Sequence, residues 1–305
     1  MSLTPVQLEA RKRGVGGSEA AIVLGLSKFK TATQLYLEKR GEIEVEYFEN
    51  DVQRWGRLLE GAVRQEYSER TGRVVRQPLD TLWHPELHFI CGHPDGITDD
   101  DRLLEAKTAV PQLADQWGEP GSDFVPQDYL LQCQHYMLLT GLPVADLAVL
   151  INRFDYRIYE IPADRELQEM IIEAARDFMR RIREGDRPPI DFEHRTAIDV
   201  VRKLYPGTNG ARVAASTEAV DWRSQMEAAA AIAKEHDAIA KALKARLLDS
   251  MGEAAVLAFP DGKAIRRKLI EKKSYTVAPS SYWDARVVND TAPNMFVAYP
   301  GPYTK

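Results

Sequence analysis

Residues 92–107, GHPDGITDDDRLLEAK, constrain the fold of this chain more than any other stretch. His93-Pro94-Asp95-Gly96 has turn chemistry, because proline presets φ and glycine accepts the positive φ that tight turns need. Asp99-Asp100-Asp101 supplies a second polar turn, so residues 96–98 and 103–108 read as antiparallel strand partners. Alternate side chains of a strand share a face. Glu105 and Lys107 therefore project together, Leu104 and Ala106 project oppositely, and the pairing can bring Asp95 beside Glu105. Two readings follow. The charges belong to an exposed ion pair on an ordinary hairpin, or the two carboxylates and the ammonium converge to hold a divalent metal against a phosphate. The second set is chemically specific: Mg²⁺ and Mn²⁺ take hard oxygen ligands and leave positions open for water and substrate phosphate. A lysine beside them can orient or deprotonate a water, or stabilise charge growing on phosphorus.

The surrounding pattern is α/β. Residues 1–70 read as helical, with Ser18 as N-cap for residues 19–24 and Thr31 or Thr33 for the helix ending at Gly41. A longer helix over residues 52–71 places Leu59, Val63 and Tyr67 on one stripe, and Glu60 shares a face with Val63 and Tyr67. Strand signals cover residues 73–108, and a loop over 111–126 precedes a helix at 127–140. In that helix Gln134 puts an amide on the face of Leu130, Met137 and Leu138; it is either a boundary residue bonded to backbone or a group aimed at chemistry. Strands at 145–152 and 156–161 and a helix at 165–184 complete a central mixed β-sheet flanked by helices. After Gly185 the composition shifts, which divides the chain into a core at 1–185 and an extension at 186–305. That extension holds a linker, an alanine-rich helix over 217–251 ended by Gly252, and a small β segment.

The 305 residues suffice for a large core, and 44% hydrophobic with 28% charged residues describes a water-soluble domain. No apolar run approaches the roughly 20 residues needed to span a bilayer, and no signal-peptide pattern opens the chain, so a cytoplasmic protein without membrane attachment is expected. Two cysteines, Cys91 and Cys133, exclude a disulfide framework, a CxxC zinc site and a four-cysteine iron–sulfur cluster. The net charge of −6 argues against a general nucleic-acid coat. Basic clusters nonetheless occur near Arg11, among Arg176, Arg180, Arg181 and Arg183, and at Lys263, Arg266, Arg267, Lys268, Lys272 and Lys273. Each is a solvated face or a phosphate contact.

Pro94-Asp95 followed by Glu105-Ala106-Lys107 resembles the signature of the PD-(D/E)XK nucleases. Five motifs in order narrow the resemblance: residues 11–21 (RKRGVGGSEAA), 56–60 (GRLLE), 92–96 (GHPDG), 104–108 (LEAKT) and 132–137 (QCQHYM). Over residues 5–185 the chain is similar to the YqaJ-type viral recombinases, grouped with phage lambda exonuclease and the alkaline exonucleases. The resemblance implies a restriction-endonuclease-like core and a Mg²⁺-dependent exonuclease, with Mn²⁺ as substitute. Such an enzyme degrades one strand of linear duplex DNA from a 5′-phosphorylated end, leaving a 3′ tail for strand annealing. It implies Asp95 and Glu105 as metal ligands with the Ala106 carbonyl as a third, Lys107 as the catalytic lysine, and Glu60 as a further acidic group. Gln134 becomes an active-site amide, and Arg11 and Ser18 bind the terminal phosphate. A homotrimeric ring and a single-strand annealing protein are the implied partners.

Gly14, Gly16 and Gly17 do not make a nucleotide loop, since no GK[ST] follows and no strand precedes them. A helix start with free N–H groups is the alternative, either as an anion site with Arg11 or as a bare glycine-turn cap. The competing functions are an endonuclease on the same core and an inactive DNA-end scaffold. The extension is either a cap on its own core or a continuation of the DNA track that positions the annealing protein.

Overall fold

The computed structural model describes residues 12–43, 50–152 and 154–271. Arg11, Lys272 and Lys273 lie outside them. The chain divides into two units, Met1–Tyr205 and Pro206–Lys305. In the first, a 3₁₀ turn (Gly17–Glu19) leads into α1 (Ala20–Val23), α2 (Ala32–Arg40) and α3 (Asp51–Thr71). Four short strands follow, β1 (Val75–Arg76), β2 (Leu82–Trp83), β3 (Cys91–Gly92) and β4 (Gly96–Thr98), then the longer β5 (Leu103–Ala109). The unit ends with α4 (Gln127–Thr140), β6 (Val144–Ile151), β7 (Asp155–Pro162), α5 (Arg165–Glu184) and α6 (Ala197–Leu204). The second unit contains α7 (Thr217–Met251) and a hairpin of β8 (Val256–Ala258) and β9 (Ala264–Arg266).

Local chemistry sets several of these boundaries. Thr31 caps α2, its hydroxyl accepting from the Gln34 N–H at 3.2 Å. Asn50 and Gln53 exchange side-chain-to-backbone bonds of 2.9 and 3.1 Å, a capping box that starts α3. Ser18 is not a cap. Gly16 holds that position, and the buried Glu19 carboxylate reaches back to its N–H at 3.0 Å. Lys39 Nζ fixes the same carboxylate at 2.8 Å and also donates to the Gly14 carbonyl. A buried ion pair thus organises this turn, and the helix behind it is only four residues long.

The main sheet has the order β1-β4-β5-β6-β7, with β5 and β6 parallel and the other pairs antiparallel. A parallel pair needs a crossover, and α4 provides it. The expected mixed α/β architecture is thereby present. Alternation along β5 splits the core into two faces. Leu104 and Ala106 join Ala148 against Val63 and Tyr67 of α3. Leu103, with Leu147 and Val149, joins Cys133, Tyr136 and Met137 of α4 and Phe178 of α5. Asp146 of β6 is buried between Tyr67 and Arg102, whose guanidinium forks onto it at 2.6 and 2.9 Å. Among the described residues no helix is long and apolar enough to cross a membrane.

The composition shift at Gly185 precedes the structural boundary by about one helix. Residues 186–205 pack with the first unit: Thr33 donates to the Pro189 carbonyl at 2.6 Å, His194 Nε2 bonds the Ser27 carbonyl at 3.1 Å, and Val200 of α6 is buried in the core. Two adjacent prolines interrupt regular structure here without ending the packing. A chain terminated after Tyr205 is therefore expected to be more stable than one terminated after Asp186. Exposing the site under Val200 and Ala197 should cost at least about 2 kcal/mol, read as a lower denaturation midpoint. Equal midpoints would place the boundary back at Gly185.

Candidate active site

Pairing between β4 and β5 begins at Gly96↔Leu104. Extending that register one step sets Asp95 opposite Glu105, but Pro94 and the turn divert the chain before β4 starts. The result is an uncovered edge of β5. There the Ala106 N–H donates to Asp95 Oδ2 at 2.9 Å instead of to a strand. A strand residue's N–H and C=O point to the same edge, so the Ala106 carbonyl is on the Asp95 side.

Around this edge lies a cavity of about 500 Å³ whose walls include Ser18, Glu60, Asp95, Glu105, Ala106 and Lys107. Each comes from a different constraint. The face shared by Glu105 and Lys107 is the one packed by α4, and Lys107 Nζ lies 2.5 Å from Glu105 Oε1. The same ammonium is 5.2 Å from the ring centroid of Tyr129, a cation–π geometry. Glu60 reaches the cavity from α3 and lies 3.8 Å from Arg64 Nη1. Ser18 is exposed on the wall, in the 3₁₀ turn.

Gln134 lies elsewhere. Its Nε2 donates to the Pro162 carbonyl at 2.8 Å and its Oε1 accepts from the Asp164 N–H at 2.9 Å, so it joins α4 to the start of α5. The amide at the cavity is Gln132, whose Nε2 donates to Glu105 Oε1 at 2.6 Å. Two residues along a helix are about 200° apart. Tyr129, Gln132 and Tyr136 all line the cavity, and their i, i+3, i+7 spacing was the sequence signal for the correct face. Arg57, one turn before Glu60 and inside the 56–60 motif, also lines it.

The glycines near the cavity have a steric role. A Cβ on Gly17 would sit 2.5 Å from the Tyr136 ring, and one on Gly92 also 2.5 Å. Tyr136 is gripped between two chain segments that only glycine lets approach so closely. Next to it, the His135 ring bonds the Cys91 carbonyl at 2.9 Å, holding α4 to the strand before the Asp95 turn.

The electrostatics are those of crowded acids. Burial raises the Glu105 pKa to about 8, Asp95 adds to the rise, and Lys107 opposes it. Asp95 is raised as well, chiefly by burial, against the pull of Lys107 and the Ala106 N–H. Burial disfavours the Lys107 ammonium, yet Glu105 and Asp95 overcome this and raise its pKa. The two carboxylates thus favour the charged form of Lys107. Glu105 Oε2 is buried with no hydrogen-bond partner. A buried, unsatisfied carboxylate oxygen beside a second carboxylate fits a divalent ion, which would supply the missing positive charge. Among the described residues no three His, Cys, Asp or Glu side chains form a ready cage. The donor set is instead two carboxylates and a backbone carbonyl, the sparse kind Mg²⁺ accepts.

The first unit is therefore a mixed α/β domain with an acidic, lysine-bearing cavity at a sheet edge. Residues 7–143 match the family model of the YqaJ-like viral recombinase domain. The YqaJ protein of Bacillus subtilis (strain 168) is 35% identical over 204 residues, 65% of this chain and 62% of that one. The chain thus matches somewhat less than two thirds of this relative's length. Among solved structures, the alkaline exonuclease LHK-Exo from Laribacter hongkongensis aligns over 58% of this chain and 91% of its own, at TM-score 0.49 and 22% identity. A phage-related exonuclease from Haemophilus somnus 129PT aligns over 56% of this chain and 96% of its own, at TM-score 0.42 and 16% identity.

The raised Glu105 pKa sets a pH dependence. An acid whose folded pKa exceeds its unfolded value holds extra protons in the folded state, so stability falls as pH rises between the two values. The metal-free protein should lose stability from about pH 5 to pH 8, and Glu105→Gln should flatten that decline in denaturant titrations. A decline equally steep in the variant would refute the assignment.

Proposed function

We propose that the domain is a Mg²⁺-dependent exonuclease that degrades one strand of linear duplex DNA from the 5′ end, leaving a 3′ tail for annealing. The observation that carries this reading is the buried, unpartnered Glu105 Oε2 beside Asp95 and the Lys107 ammonium. The recombinase family supplies the biological setting.

Asp95, Glu105 and the Ala106 carbonyl would hold the ion, with Mn²⁺ as substitute and Glu60 as the further acidic group. When bound, the ion offers Lewis-acid stabilisation of charge on the phosphate oxygens. The remaining work is done by side chains. Gln132 fixes Glu105 through Oε1 and leaves Oε2 free for a ligand. Lys107 keeps its proton at Nζ and offers a cation to the charge that develops on the reacting phosphate. The pairing of Lys107 with Glu105 holds the ammonium over Tyr129 until substrate arrives. Ser18, exposed on the wall, and Arg11 are assigned to the terminal 5′ phosphate. The same reading includes a homotrimeric ring around duplex DNA and a single-strand annealing protein as partner.

The test uses linear duplexes with and without a 5′ phosphate and a covalently closed circle, all with Mg²⁺. Digestion of the linear substrates from the 5′ end, preference for the phosphate and an intact circle are expected. Asp95→Asn, Glu105→Gln and Lys107→Met should each slow cleavage at least about a hundredfold. Cutting of the circle would make the protein an endonuclease. Wild-type turnover in the Lys107 variant would remove the site assignment.

A further inference from the structure

Asp95 has little to hold it. It precedes β4 in a turn after Pro94, outside the β4–β5 register, which starts at Gly96. Its side chain contacts β5 through one bond, to the Ala106 N–H. Arg64 of α3 addresses that weakness. Its Nη1 donates to the Asp95 carbonyl at 3.2 Å and lies 3.8 Å from Glu60 Oε1, one helical turn back. One guanidinium nitrogen therefore faces the main chain of one acidic residue of the cavity and the side chain of another. Arg64 is half-buried and lines a groove with Gln65, Ser68, Val75 and Gln77.

We propose that Arg64 is a positioning residue: it ties the Asp95 turn to α3 beside Glu60 and thereby sets the affinity of the acidic cavity for a divalent cation. The inference rests on the reading of that cavity as a metal site. Two physical effects of Arg64 oppose each other, and this makes the proposal decidable. As a charge, a guanidinium near the carboxylates repels a cation, so removing it should tighten metal binding. As a clamp, it holds donors in place, and removing it should weaken binding, as loss of a residue that orients ligands does by about 10–100-fold. The clamp is proposed to dominate. A flexible ammonium at this position reproduces the fixed direction of the guanidinium N–H on the Asp95 carbonyl only in part.

The experiment is calorimetric titration of the full chain with Mn²⁺ alone, without DNA, for wild type, Arg64→Met and Arg64→Lys, with Asp95→Asn marking the site. Wild-type binding that Asp95→Asn abolishes is expected. Arg64→Met should bind about tenfold or more weakly, and Arg64→Lys should fall between the two. Cleavage assays should show the same order in the Mg²⁺ concentration needed for half-maximal rate, with kcat for the Lys variant largely recovered at high Mg²⁺. Equal or tighter Mn²⁺ binding by a folded Arg64→Met would overturn the clamp and leave the metal site standing. Absence of wild-type binding, or binding indifferent to Asp95→Asn, would overturn the metal reading and this inference together. Thermal melts accompany each variant; if Arg64→Met does not fold, Arg64→Lys decides, with wild-type affinity counting against the clamp.

Discussion

The structure of the site depends on one unfavourable placement, a carboxylate buried on a strand of the main sheet. Glu105 is almost fully enclosed, and its neighbours are a second acid and a lysine. An ionised group in such a place needs compensation that burial alone cannot give. Lys107 and Gln132 both converge on Oε1, which leaves Oε2 without a partner. The fold tolerates this because β4 starts too late to cover the β5 edge. The interruption that leaves this edge unpaired is also what leaves the cavity beside it open.

Around that edge the elements act as holders. The α4 helix brings Tyr129 and Gln132 onto Lys107 and Glu105, and it is itself fixed by Tyr136 between two glycines and by His135 on the Cys91 carbonyl. From the other face of the sheet, α3 packs Val63 and Tyr67, extends Glu60 to the cavity and bonds the Asp95 carbonyl through Arg64. Asp146, at a distance from the cavity in the β6 core, shows the contrasting case. Its carboxylate is bonded by Tyr67 and forked by Arg102, and neither oxygen is left over.

Much of this was legible in sequence for physical reasons. Period-two alternation in residues 103–107 put Glu105 and Lys107 on one face, and the two flanking turns set the register that sends Asp95 toward them. The cap at Thr31 was one of two candidates with Thr33, and the helices over residues 165–184 and 217–251 were readable, the second from its alanine content and the terminating Gly252. The misplacement of Gln134 has an identifiable origin. Because α4 is buried on nearly every side, hydrophobic periodicity does not say which side faces a cavity. Ser18 was read as a cap because serine favours that position, whereas the competing carboxylate of Glu19 is fixed by Lys39, twenty residues away in sequence. Arg57 lay inside the 56–60 motif without being singled out, and Arg64 lacked any signal, since a charged helix residue looks the same whether it faces water or a neighbouring turn. The extension of the first unit to Tyr205 depended on long-range contacts from Thr33 and Ser27 that composition does not encode.

The central claim is that the uncovered β5 edge is a metal site. Its most direct test is anomalous diffraction from crystals of the protein soaked in Mn²⁺. The account predicts an anomalous peak within about 2.0–2.2 Å of carboxylate oxygens of both Asp95 and Glu105, including Glu105 Oε2, and its disappearance in Glu105→Gln. A peak ligated elsewhere, or a cavity that stays free of Mn²⁺ while Lys107 keeps its bond to Glu105, would contradict it.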